Sequence, residues 1–151
     1  MKKIIKTLSF YAILLTIITV GCKKYNNSTP PPAADPIPTA VTSGIWSVTS
    51  FTQKTENKTN IFSGIDFTFS SDGKLAATGS ASASGTWSST PYSPGYYGGP
   101  PSLATFSISL GTSTPFDKLS KSWNVGSQST TVVQLDNKEP LEDEHVTFTK
   151  K

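Results

Sequence analysis

Ile65-Asp66-Phe67-Thr68-Phe69-Ser70-Ser71-Asp72-Gly73-Lys74-Leu75 decides how the rest of this chain is read. Ile65, Phe67 and Phe69 alternate with Asp66 and Thr68, so a strand here carries its apolar side chains on one face and polar ones on the other. Ser71-Asp72-Gly73 is a tight-turn signal that returns the chain into a second strand at Leu75. The same period of two recurs downstream. Phe106, Ile108 and Leu110 alternate with Ser107 and Ser109, Val133 and Leu135 flank Gln134, and Val146 and Phe148 alternate with Thr147 and Thr149. Strands apolar on one side and wet on the other belong to an antiparallel meander, not to a parallel α/β sheet. Shorter strands are expected around Trp46, Leu75, Trp87 and Trp123.

About eight short strands predict an all-β domain closed into a small barrel, because closure removes exposed edges. A two-sheet β-sandwich is the alternative. One short helix is predicted at Thr114-Pro115-Phe116-Asp117, read as a cap, a proline at the first helical position and an acid in the first turn. Phe116 and Leu119 share one side of it and would plug an end or edge of the sheet.

Upstream of Gly44 the chain changes character. Met1–Lys6 carries three lysines, and Leu8–Val20 is an apolar run broken only by Ser and Thr. That length suits a secretory signal rather than a spanning helix, which needs roughly 20 apolar residues. Gly21 precedes Cys22, the single cysteine of the 151-residue chain. Thr19-Val20-Gly21-Cys22 resembles the lipobox of bacterial lipoproteins, with Thr19 in place of the usual Leu. The resemblance implies cleavage before Cys22, acyl chains on its sulfur and amino group, and stable anchoring of the mature chain by several chains at once. Lys23 and Lys24 follow, with neither the aspartate that retains some lipoproteins in the inner membrane nor an acidic surface-export run. The expected place is the outer membrane of a Gram-negative bacterium, with the periplasmic face favoured over the cell surface. Tyr25–Thr42 holds Pro30, Pro31, Pro32, Pro36 and Pro38, which predicts an extended spacer without a helix. The organisation expected is therefore signal 1–21, lipidated cysteine and linker 22–43, and β domain 44–151.

Charge narrows the partners. All 13 basic residues are Lys, and the formal net charge is +3. Lys2, Lys3 and Lys6 lie in the segment expected to be removed, which leaves the mature chain with as many lysines as acids. That balance gives no electrostatic footprint for nucleic acid. With Cys22 alone, no intramolecular disulfide forms. Asn57-Lys58-Thr59 matches a glycosylation sequon and is read as chance.

Gly44-Ile45-Trp46 on the first strand resembles the Gly-x-Trp motif of lipocalins, whose Trp closes one end of the barrel. Phe67-Thr68-Phe69 with Asp72-Gly73, Gly85-Thr86-Trp87 and Val146-Thr147-Phe148 follow in an order similar to bacterial lipocalin-like lipoproteins. The resemblance covers roughly Gly44 to Lys150, and implies a lipocalin-like barrel that binds a small apolar ligand, with Gly44 and Trp46 as the barrel-closing motif.

Two other features offer candidate sites. Pro91–Pro101 contains Tyr92, Tyr96 and Tyr97 among four prolines and three glycines. Such a loop is either a long hairpin connection or a contact surface for a glycan or a protein partner. Asp136, Glu139, Glu142, Asp143, Glu144 and His145 would suit a hard cation, but they lack the spacing of a known metal loop and read as a solvated acidic turn. The tryptophans Trp46, Trp87 and Trp123 read as core. One histidine, no spare cysteine, no Gly-x-Ser-x-Gly elbow and no phosphate loop leave no catalytic constellation, metal site or cofactor to expect.

Overall fold

Alternating side chains build a barrel here by curling one meander until its first strand meets its last. A computed structural model describes residues 37–93, 102–137, 139 and 141–151. Helix α1 (Ile37–Val41) leads into β1 (Trp46–Gln53), β2 (Glu56–Asn57) and a 3₁₀ turn at Thr59–Phe62. There follow β3 (Ile65–Phe69), β4 (Lys74–Gly79), β5 (Ala83–Thr90), β6 (Thr105–Ser109), α2 (Phe116–Leu119), β7 (Ser122–Gln128), β8 (Val132–Asn137) and β9 (Glu144–Lys150). Every pairing is antiparallel, and β1 bonds to both β3 and β9, so eight strands close and β2 hangs on β1 as a short extra strand. The sandwich alternative is thereby set aside. Bulges between Val48 and Ser50 in β1, and between Val125 and Ser127 in β7, supply the bending that closure demands.

The predicted turn forms as read. Gly73 N donates to Ser70 O at 3.0 Å, and Gly73 takes φ +82°, a conformation that suits glycine. Gly85 serves a different need: a Cβ there would lie 1.8 Å from Ser109 O, so only glycine allows β5 to approach β6 that closely.

The barrel interior is filled by rings. Phe51 meets Phe62 edge-on at 5.4 Å, Phe67 meets Phe148 at 5.4 Å, and Phe69 meets Phe106, Phe148 and Trp87 at 5.6, 5.8 and 5.8 Å. These are favourable edge-to-face distances, each adding about 0.5–1.5 kcal/mol beyond area burial. The outer wall is polar: Thr49, Thr68, Thr78, Ser84, Thr86, Ser88, Ser109 and Gln134 all face water. A membrane-spanning barrel would carry the opposite pattern, with an apolar outer belt. Among the described residues no helix is long and apolar enough to cross a membrane.

All three tryptophans are core, and each indole N–H is satisfied by a carbonyl outside the ladder. Trp46 Nε1 donates to Val41 O at 2.9 Å, Trp87 Nε1 to Ser70 O at 2.9 Å, and Trp123 Nε1 to Leu119 O at 3.0 Å. Trp46 thus ties down α1, and Trp123 ties down α2.

Two local expectations need correction. The proline-rich stretch does not exclude a helix at its C-terminal end: α1 forms at Ile37–Val41, and Ile37, Ala40 and Val41 are buried. Pro38 falls in the first turn, where a missing N–H leaves no helical bond unmade. The folded core therefore begins upstream of Gly44. In α2 the helix forms where predicted, but Pro115 occupies the cap position rather than the first helical one, and no side chain caps it. Burial of Phe116 and Leu119, not a capping box, holds this four-residue turn in place.

Candidate functional site

The barrel has one weak seam. Strand β1 pairs with β9 along its length, from Trp46↔Lys150 to Gln53↔Glu144, but with β3 only at Trp46↔Phe67. Beyond that pair the two strands part. The reason lies in how neighbouring carbonyls are used. Ser63 O accepts from Ser80 Oγ at 2.6 Å, and Gly64 O accepts from Ser80 N at 3.0 Å, so the start of β3 is held toward β4. The far part of β1 finds partners in its own hairpin instead. Phe51 N donates to Thr59 Oγ1 at 2.9 Å, and Lys58 N donates to Phe51 O at 2.8 Å.

The gap is a cleft of about 320 Å³. Val48, Phe62 and Ile65, all buried, form its inner wall, while Ser47, Thr59, Asn60, Ser63, Asp66 and Lys151 form the rim. Lys151 Nζ pairs with Asp66 Oδ1 at the mouth. An apolar wall with a few polar groups around it is the usual make-up of a small-molecule site, and this volume sits at the small end of such sites. A second depression, about 390 Å³, lies on the outer wall over β5 and β6, where Thr86, Ser88, Ser107 and Ser109 leave room beside Asp72.

The Gly44 and Trp46 motif lies where β1 meets β3 and β9. Trp46 is fully buried and is the residue through which β1 reaches both β3 and β9. Gly44 takes φ +91°, and a Cβ there would fall 2.5 Å from Lys150 Cε. Tyr92 is 57% exposed, and below it Ser93 and Ser102 bond reciprocally at 3.1 and 2.9 Å across the base of the loop. Tyr96, Tyr97 and Cys22 lie outside the described residues.

The acidic turn is solvated at Glu139, Glu142, Asp143 and His145 but not at Glu144. Glu144 is 1% exposed, and its carboxylate is bound on both oxygens. Gln53 Nε2 donates to Oε1 at 2.9 Å, Asn137 Nδ2 donates to Oε2 at 2.9 Å, and Lys121 Nζ pairs with Oε2. Lys121 also contacts Glu142 at 3.2 Å and lies over the Trp123 ring at 5.5 Å. Burial pulls the Lys121 ammonium down, but its bonds to Glu144 and Glu142 outweigh this and hold it above the ordinary lysine range. Lys121, with Asn137, holds the Glu142 carboxyl below its ordinary range. The sequence spaces Lys121 far from Glu144, so only strand order brings them together. His145 Nδ1 lies 2.5 Å from Asp136 Oδ1, and its Nε2 3.1 Å from Asp143 Oδ1. The bond to Asp136, reinforced by Asp143, raises the imidazole above its ordinary range despite partial burial. Among the described residues no group of three or more His, Cys, Asp or Glu is placed to hold a metal ion.

The seam cleft was not read from the sequence. Its one signal is the pairing of Ser63-Gly64 with Gly79-Ser80 at facing strand ends, where Gly79 (φ +117°) has no room for a Cβ beside Gly64 O, 2.0 Å away. No protein-family model, no curated protein and no solved structure matches this chain.

Proposed function

We propose that this chain is a lipid-anchored, non-catalytic binding protein of the lipocalin-like kind, tethered through Cys22. Its barrel takes a small, largely apolar molecule in the seam between β1 and β3. The observation that carries this reading is the seam itself. After one residue pair the strands separate into a cleft of about 320 Å³ with Val48, Phe62 and Ile65 at its back. The barrel axis is a poor alternative, because edge-to-face rings occupy it. A ligand in the seam would bury its apolar part against those three side chains, worth roughly 25 cal/mol per Å² removed from water. A polar end would meet Ser47, Asn60 or the Asp66–Lys151 pair at the rim. The reading implies placement in the outer membrane, with the periplasmic face favoured.

Native mass spectrometry of protein purified gently from its own host, with solvent extraction, is the test. A stoichiometric apolar molecule that is lost in Ser63→Trp, which fills the mouth of the cleft, supports the reading. A clean apo mass overturns it. The second reading, a packed scaffold that meets a glycan or protein through its tyrosine loop, is favoured by the exposure of Tyr92.

A further inference from the structure

Antiparallel strands sort every connection of this barrel to one of two ends. At the end where β1 begins with Trp46 lie α1, the turn Ser70–Gly73, the β5–β6 connection, the β7–β8 turn and the end of β9. At the end where β1 finishes with Gln53 lie the 3₁₀ turn, the β4–β5 turn, α2 and the β8–β9 turn.

Exposed apolar side chains and acids divide between these ends in opposite ways. The large hydrophobic residues exposed among the described ones are Ile45, Tyr92, Leu103 and Leu141, at 47, 57, 60 and 92%. The first three belong to the Trp46 end. Tyr92 and Leu103 flank the Ser93–Ser102 bridge on opposite arms of the β5–β6 connection. Every described acid except Asp66 and Asp72 sits in or beside the connections of the Gln53 end. Those two exceptions are each already paired with a lysine, Lys151 and Lys74. Lys150 stands at the same Trp46 end, held toward Ser43 Oγ at 3.0 Å.

The chain also enters the folded unit at the Trp46 end, through α1. Only the residues between Cys22 and Ile37 separate it from the expected lipid, a reach of at most about 3.3–3.6 Å per residue.

We propose that the Trp46 end is a membrane-docking face, seated on the anionic bilayer that carries the anchor. Ile45 and Leu103 enter the interface, and the Tyr92 ring lies at headgroup depth, where amphipathic rings are favoured. Lys150 faces anionic headgroups, Lys74 and Lys151 being paired with Asp72 and Asp66, while the acid-rich end points to water. Tethering makes the contact intramolecular, so a face too weak to bind lipid alone suffices. This rests on the lipoprotein reading for the tether, and on the barrel alone for the face.

The test uses the full chain, processed in a lipoprotein-exporting host and placed in vesicles of phosphatidylcholine with phosphatidylglycerol. Leu103→Cys and Leu141→Cys each add one cysteine at an exposed position for an environment-sensitive fluorophore. Intact mass reports whether Cys22 is acylated, and flotation whether the chain is on the vesicles. Docking requires a blue shift at position 103, none at 141, and weakening of the shift at 103 by salt or by omitting phosphatidylglycerol. Water-like emission at both positions in a chain that floats overturns the docking face while the anchor stands. If Cys22 is unmodified and the chain does not float, the anchor reading fails. The labelled chains in a Cys22→Ser background are then added to phosphatidylglycerol vesicles at low salt. A shift confined to position 103 still supports the face, and no shift overturns it.

Discussion

Replacing Trp46 by Ala should remove about 3–5 kcal/mol of stability, the range for truncating a fully buried large aromatic. The structure puts this substitution near the top of that range. Trp46 is 0% exposed, and it is the point where β1 joins both its neighbours, opposite Phe67 on β3 and Lys150 on β9. Its Nε1 also satisfies Val41 O at 2.9 Å, and a buried carbonyl left without its donor costs about 1–3 kcal/mol. A domain of this size holds only about 5–15 kcal/mol in all, so the variant should be folded but marginal. Trp46→Phe keeps one ring in the core but loses the N–H together with the volume of the second ring, so it should cost at least about 1 kcal/mol and less than Trp46→Ala. Urea unfolding followed by far-UV circular dichroism measures both, and limited proteolysis between Val41 and Gly44 reads whether α1 has come away. A loss below about 1 kcal/mol for Trp46→Ala, the range of ordinary surface changes, would refute the claim that this residue closes the barrel. Equal stability of Trp46→Phe and the parent would refute the role of the Val41 bond.

Further outcomes are expected elsewhere. Lys121→Met strands the buried Glu144 carboxylate and should cost up to about 3 kcal/mol, the low end for a broken buried pair because Gln53 and Asn137 still donate to it; Glu144→Gln added to Lys121→Met should recover part of the loss in denaturant titration, and no recovery would argue against the pairing. His145 is the one histidine, so its ring protons give an unambiguous NMR titration with a midpoint above the ordinary 6.5. Because the folded value is the raised one, the stabilisation that wild type holds over His145→Gln should be complete below about pH 6.5 and fade as pH rises through the folded midpoint; a larger advantage at alkaline pH would contradict the two carboxylate contacts. Cys22→Ser should release the chain from the membrane fraction, and a variant that still resists salt washing there would end the lipoprotein reading.

Period-two patterning determined a great deal by itself. Ile65, Phe67 and Phe69, then Phe106 and Ile108, then Val146 and Phe148 named their own buried faces, because on a strand one residue in two points inward whatever the neighbours are. Ser71-Asp72-Gly73 specified its turn through backbone conformation. Proline content misled at Ile37–Val41, since a proline in the first helical turn forbids nothing and the drive to bury Ile37 and Val41 comes from a core assembled elsewhere in the chain. Closure over a sandwich, the Lys121–Glu144 pair and the parting of β1 from β3 were decided only in three dimensions. Each depends on which strand lies beside which and in what register, a property of residues tens of positions apart that no local pattern encodes. The cleft follows from the same cause: where β1 and β3 part, Phe51 N turns to Thr59 and Ser63 O to Ser80, and that choice of partners is made by the tertiary structure.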